Sequence, residues 1–185
     1  MKIGMAGPVM EGQKQSRVDP DDFRNAMGHF VTGVTIVTSA GHSGPTGMTV
    51  NSFTSVSLDP CQLLVCLKRN SSTGISIRES GYFAVCLLSK DQKDLAMKFS
   101  KPAAERFHDV SWFESDLGPP IIRGNIANLV CKLHTVHAAG DHDIFIGDVR
   151  SCVQAGFDPL VFFRGRFDLI DEGARSRQLV HGSAR

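Results

Sequence analysis

The chain has 185 residues, 42% of them hydrophobic, with 20 Lys and Arg against 19 Asp and Glu for a formal charge of +1. That length suits one domain with a core of its own, and the even charge balance argues against a nucleic-acid binder, which carries a basic excess. No apolar run approaches the roughly 18 residues of a membrane-spanning helix.

In chain order, MKIGMAGPVMEGQKQ lacks the apolar core of a secretory signal, and residues 1–18 are expected to form a flexible arm. Asp19 and Pro20 are helix-start residues, and Phe23, Met27, Phe30 and Val31 fall on one face of the helix they predict. GVTIVTSA is β-branched and reads as a strand, closed by the turn-formers of GHSGPTG. GMTVNSFTSVSLDP returns as the second arm of a hairpin. QLLVCL, residues 62–67, predicts a strand covered on both faces. SSTGISIRES reads as a short helix begun by Ser71 or Ser72, and YFAVCLL as another buried strand. SKDQKDLAMKFS predicts a helix, with Ser89 and Gln92 as a capping box and Leu95, Ala96 and Phe99 along one side. After the polar stretch RFHDVSWFESDLGPP come three strand-like runs, IANLVCKLHTV, DIFIGDVRSCV and LVFFRGRFDLI. Residues 171–185 form a polar tail.

Six or seven strands in antiparallel order, with a few short helices, predict a mainly β domain over residues 19–170 that closes its edges as a barrel. The five cysteines (61, 66, 86, 131, 152) sit mostly in apolar runs, are odd in number and include no C-x-x-C pair. They read as reduced, buried thiols of a cytoplasmic protein.

Several chemistries are excluded by pattern. GHSGPTG leads into a strand rather than a helix, so it is no dinucleotide fingerprint. There is no P-loop and no G-x-S-x-G elbow. His134, His137, Asp141, His142 and Asp143 are of metal-ligand type, but on a strand His134 and His137 point to opposite faces and cannot share one ion without a bulge. No metal is expected, and the AAGDHD segment reads as a polar hairpin tip. One stretch resists this treatment. GMTVNSFTSVS places small hydrogen-bonding side chains on both faces in the middle of an expected strand, where alternation with apolar residues is the norm.

Taken in order, FVTGVTIVTS, GMTVNSFTSVSLDP, KRNSST, ERF, PIIRGNIANLVCK, AGDHDIFIGDV and PLVFFRGRF resemble the short-chain flavin reductases. These are small NAD(P)H:flavin oxidoreductases that feed reduced flavin to two-component monooxygenases. The resemblance runs from about residue 20 to 170, and AGDH followed by IFIGDV, downstream of T-x-N-S-F-T-S-V-S-L-D-P, is its most specific part. It implies an FMN-binding split barrel, antiparallel and Greek-key-like, usually a homodimer with FMN or FAD at the subunit interface.

On that resemblance the polar ribbon acquires a purpose. A flavin ring needs backbone amides at close range and small side chains, which Thr49, Val50, Asn51, Ser52 and Ser55 would supply, with Asn51 and Ser52 marking where strand pairing breaks. Lys68, Ser71, Ser72 and Thr73 of KRNSST would anchor the phosphate at a helix N-terminus. Phe99 and Arg106 correspond to family positions near the flavin. Gly140, Asp141 and His142, with Phe163 and Arg164, would meet NADH or NADPH, and His142 would orient the nicotinamide rather than move a proton.

The chain departs from the family at Phe162, Phe163 and Phe167, where tyrosines are common, and at Cys61, where a second proline is usual. Other readings are a flavoredoxin-like electron carrier and a non-catalytic flavin- or haem-binding module. A nucleotide-orienting histidine has no purpose in either. An oxidase of pyridoxine-type phosphates shares the architecture but needs a more basic pocket than KRNSST supplies.

Overall fold

The computed structural model describes residues 17–101, 106–156 and 158–168. Most of the expected arm, and the whole of the 171–185 tail, lie outside the described residues. The first helix, α1 (Pro20–Met27), starts as its sequence dictates. Asp19 Oδ1 accepts hydrogen bonds from the N–H groups of Asp21 at 2.8 Å and Asp22 at 3.3 Å, with Pro20 in the first turn. It ends sooner than expected. The His29 and Phe30 N–H groups bond back three residues to Ala26 and Met27, so Phe30 and Val31 lie beyond the helix. No α1 residue is buried, and Phe23, Met27, Phe30 and Val31 are all exposed.

The strands that follow are β1 (Thr32–Gly33), β2 (Thr35–Gly41), β3 (Gly44–Val50), β4 (Phe53–Leu58) and β5 (Cys61–Lys68). Then come helix α2 (Ser72–Ser80), β6 (Tyr82–Leu87), and a 3₁₀ turn at Lys90–Gln92 leading into α3 (Lys93–Ser100). The turn is started as predicted, with the Ser89 N–H donating to Gln92 Oε1 at 3.1 Å. The rest are the small hairpin β7 (Trp112–Glu114) and β8 (Pro120–Ile122), the long strands β9 (Ala127–Ala139) and β10 (His142–Gln154), and β11 (Val161–Phe163) and β12 (Arg166–Asp168).

Seven strands form one antiparallel sheet in the order β3-β2-β6-β9-β10-β5-β4. Its two edge strands, β3 and β4, are successive in the chain and only Asn51 and Ser52 separate them. Three peptide steps span at most about 11 Å, so the sheet must curl until its edges nearly meet at that point. The inner strands follow from their sequence. In β6, Phe83 and Val85 enter one apolar cluster while Ala84 and Cys86 enter another, so both faces are covered. β2 divides Ile36 and Val37 in the same way. Helix α3 covers one cluster with Ala96 and Phe99, and α2 covers the other with Ile77.

The structure corrects four expectations. GHSGPTG is mostly strand, because Gly41 and Gly44 pair and only His42 and Ser43 turn. The stretch RFHDVSWFESDLGPP is not loop alone but carries β7 and leads into its partner β8. LVFFRGRFDLI is two strands and not one. Arg164 and Gly165 have φ of +49° and +78°, the conformation of a two-residue hairpin turn whose twist matches its strands. The cysteines divide: Cys61 and Cys152 are exposed, while Cys86 and Cys131 are buried and burial pushes both thiols up to about 12.

In IFIGDV, Gly147 has a packing reason to be glycine. A Cβ there would stand 2.5 Å from Phe83 Cζ and 2.8 Å from Cys131 Cβ. Gly147→Ala should therefore destabilise the fold by about 1–3 kcal/mol through overpacking. Gly156→Ala, whose new Cβ would meet no described atom within 4 Å beyond its chain neighbours, should stay within about 0.5 kcal/mol of the parent. Urea denaturation midpoints compare the two.

Candidate functional site

The puzzling ribbon is not the middle of a strand. Val50 still pairs with Thr35 of β2, whereas Phe53 already pairs with Val65 of β5. Between them the chain changes partners. The Thr35 hydroxyl donates to the Val50 carbonyl at 2.9 Å on the departing side. On the arriving side, the Ser52 carbonyl accepts from the Cys66 N–H at 3.0 Å and the Ser52 hydroxyl donates to the Cys66 carbonyl at 2.7 Å. The small polar side chains thus stitch two strand ends to two different neighbours. Among the described residues the Asn51 and Ser52 N–H groups have no backbone partner. Asn51 is exposed and borders two hollows. One, of about 360 Å³, is lined by Phe30, Thr32, Val34, Phe53 and Leu88 among others. The other, of about 180 Å³, holds Thr49, Val50, Phe162 and Phe167. The Thr32 hydroxyl is buried with no hydrogen-bond partner among the described residues.

The head of α2 lies at the same end of β5. Asn70 takes φ of +61°, a conformation asparagine tolerates better than most residues, and the Ser71 N–H closes the turn on the Lys68 carbonyl at 3.0 Å. Ser71 caps the helix by accepting the Gly74 N–H at 3.3 Å. Ser72 is exposed on the first turn, where the amides have no intrahelical acceptor. Thr73 faces inward. It is wholly buried, and its hydroxyl has no hydrogen-bond partner among the described residues.

The tip of the β9–β10 hairpin completes the group. Gly140, at φ +62°, and Asp141 form a two-residue turn between paired Ala139 and His142, with glycine at the first central position as such turns require. His142 stands opposite Lys68 in the sheet, and the Arg69 N–H donates to the Asp141 carbonyl at 3.0 Å. Two segments some 70 residues apart are thereby joined. Cys66, which holds Ser52, pairs with Ile144, two residues before the Lys68–His142 pair; that is roughly 7 Å along the strand. The His142 Nδ1 lies 2.9 Å from Asp141 Oδ1. That hydrogen bond holds the Asp141 carboxyl below its ordinary range, so it stands ionised at neutral pH as an acceptor. The proton of neutral His142 is then placed on Nδ1, and Nε2 remains as an acceptor on a ring that is 44% exposed.

Other expected site residues lie apart from this cluster. Thr49 turns its hydroxyl to the Ala96 carbonyl at 2.7 Å, tying β3 to α3. Ser55 is exposed on β4, just before a bulge at Val56. Phe99 is fully buried, edge-on to Phe107 at 5.2 Å, and a Cβ on Gly47 would sit 3.0 Å from its ring. Arg106 directs its guanidinium to the Lys101 carbonyl at 2.9 Å and to the Gly47 carbonyl. Burial lowers its pKa. Both side chains therefore brace β3 from behind. Phe163 and Arg164 contact the end of α1, where the Arg164 N–H donates to the Gly28 carbonyl at 2.9 Å and Phe163 stands edge-on to His29.

A register shift does occur at His134, between the Thr135–Ile146 and Leu133–Gly147 pairs, yet His134 is engaged by Asp148 at 3.3 Å. The described residues contain no group of three or more His, Cys, Asp or Glu placed to hold a metal. Sequence reasoning did not anticipate Thr32, Arg78, or the junction of Arg69 with Asp141. These depend on register between distant strands, and only the turn signal at Gly140 was visible.

The profile of the family described as flavin reductase like domain matches residues 27–171. The chain belongs to this family. Among its relatives, the FMN reductase (NADH) SmoA of Agrobacterium fabrum is 43% identical over 145 residues, covering 78% of this chain and 83% of its own. The reductase subunit HsaB of a flavin-dependent monooxygenase from Rhodococcus jostii is 36% identical over 155 residues, covering 83% and 80%. In three dimensions it is similar to the NADH:FAD oxidoreductase SgcE6 of Streptomyces globisporus, solved in complex with NAD and FAD fragments. That likeness has a TM-score of 0.79 at 36% identity, over 86% of this chain and 99% of the other. In this chain the strand break, the helix head and the hairpin tip lie at one end of β5.

The Asp141–His142 contact predicts a definite ring state. Nitrogen-15 NMR of the imidazole at neutral pH should find neutral His142 protonated on Nδ1, and Asp141→Ala should release it to a mixture of both tautomers.

Proposed function

We propose that this flavin reductase catalyses hydride transfer from NADH or NADPH to FMN or FAD, and that the reduced flavin passes to a separate monooxygenase. The observation that carries the assignment of the site is the pair of backbone N–H groups at Asn51 and Ser52 without a backbone partner among the described residues, set beside the head of α2 and the Gly140–His142 tip. The residues fit a flavin. Amides freed by a change of strand partner can face the carbonyl-bearing end of the ring system. The exposed N–H and hydroxyl of Ser72, with Lys68, suit a phosphate at a helix N-terminus. When bound, the flavin supplies the two-electron acceptor.

The chain's own residues bind and orient. Ser71 sets the helix start, while Thr73 supports it from within. Thr49, Val50, Phe99 and Arg106 hold the β3 side of the ribbon in place, and Ser55 continues the polar edge along β4. Gly140 and Asp141 carry His142, whose Nε2 can accept a hydrogen bond from the N–H₂ of a nicotinamide carboxamide. No group here needs to act as an acid or base at the reacting carbon, because a hydride leaves one ring for the other and placement governs the rate.

The finer parts of the proposal rest on separate supports. The near-meeting of edge strands β3 and β4 supports a split barrel. The uncovered apolar side chains Phe23, Met27, Phe30 and Val31 support a homodimer in which the partner covers them, bringing Phe163 and Arg164 toward the nucleotide of the assembled site. No helix among the described residues is long and apolar enough to cross a membrane, and the buried thiols accord with a reducing cytoplasm. An electron carrier that ignores NAD(P)H would leave the tip without a purpose.

Purified protein should oxidise NADH, followed at 340 nm, only when FMN or FAD is added. Rates no higher than the flavin-only blank with either nucleotide would overturn the assignment. His142→Ala should lower kcat/KM for the nucleotide about 10- to 100-fold, or ~1.4–2.7 kcal/mol. The KM for flavin should change less than about threefold.

A further inference from the structure

Next to His142 on β10, Asp143 points to the opposite, buried face of the strand. It is 8% exposed, its register partner on β5 is the fully buried Leu67, and Phe145 lies two residues on. A carboxylate in such apolar surroundings is expensive unless compensated. Here two arginines from different segments compensate it. Arg78, in the last turn of α2, donates to Asp143 Oδ2 at 2.7 Å and lays its guanidinium over the Phe145 ring at 4.9 Å. Arg69, in the loop before α2, brings Nε to 3.5 Å from Oδ1. The same Arg69 supplies the N–H that holds the Asp141 carbonyl.

An apolar side chain of similar volume would hold the strand at least as well as a buried ion pair. What the charges add is direction, since a guanidinium fork and a carboxylate fix each other's orientation. Helix α2, the 69–71 loop and the hairpin tip are all joined through this single carboxylate, and no other described side-chain contact joins the three. Resting on the functional reading above, we propose that Asp143 is a positioning residue for the nicotinamide nucleotide. It locks the His142 tip at a fixed offset from the phosphate-binding head of α2.

The test uses the full-length protein with Asp143→Asn and, in case that variant folds poorly, the milder Arg69→Gln, which leaves the Arg78 pair intact. Asp143→Asn should raise the KM for NADH about five- to tenfold while kcat and the KM for FMN change less than twofold; Arg69→Gln should follow in the same direction. Amide hydrogen exchange at residues 139–142 should quicken at least tenfold, with the sheet centre unchanged. A merely structural ion pair would lower the melting temperature while KM and tip exchange stayed at wild-type values, and that result overturns the inference. Wild-type turnover with unaltered KM in both variants sinks this inference alone. Absence of flavin-dependent turnover in the wild type sinks the reading of the activity and this role with it.

Discussion

A chain that leaves one strand partner for another passes through residues where the ladder of backbone bonds is broken. In this molecule the exchange takes place at Asn51 and Ser52, where the run leaves β2 and joins β5 and two N–H groups are left without a backbone partner among the described residues. It happens at the point where the sheet has curled far enough to bring its two edges together. The fold therefore cannot be built without a short length of unpaired amides, and small polar side chains keep that length ordered from both sides. The proposed ring-binding surface is a by-product of how the sheet turns back on itself.

The second element depends on register. Strand β5 pairs with β4 on one side and β10 on the other, so the break, the head of α2 and the hairpin tip are all measured from the same strand. A slip of one residue between β5 and β10 would turn every side chain to the other face, placing His142 in the core and Asp143 outside. The alternation of buried Asp143, Phe145 and Gly147 with half-buried His142, Ile144 and Ile146 guards against that slip. The ion pairs at Asp143 act at the same place and in the same sense.

Much of this was legible in the sequence because the signals were local. Asp19-Pro20, Ser71 and Ser89 with Gln92 announced three helix or turn starts, and β-branched runs announced the strands. The polar ribbon is visible as an anomaly, and the resemblance to the flavin reductases marks the break at Asn51 and Ser52. What sequence could not give was the identity of partners across the sheet. Phe99 reads equally as helix core or ring contact until its burial is seen, and Arg106 reads as a neighbour of the flavin until Gly47 and Lys101 are found to occupy it. The Arg-Gly of FFRGRF looked like strand because its flanks are apolar. Two successive positive φ values at Arg164 and Gly165 make it a turn. The Arg69–Asp143–Arg78 group joins residues 65 or more apart in sequence, with no local signature.

The central claim is that a flavin lies against the amides freed by the strand exchange. Titrating nitrogen-15-labelled protein with FMN, and following each backbone amide by NMR, tests it most directly. The largest shifts should fall on Asn51, Ser52 and Ser72, saturating together. Saturable binding that moves amides elsewhere, while those three keep their free positions, would contradict it.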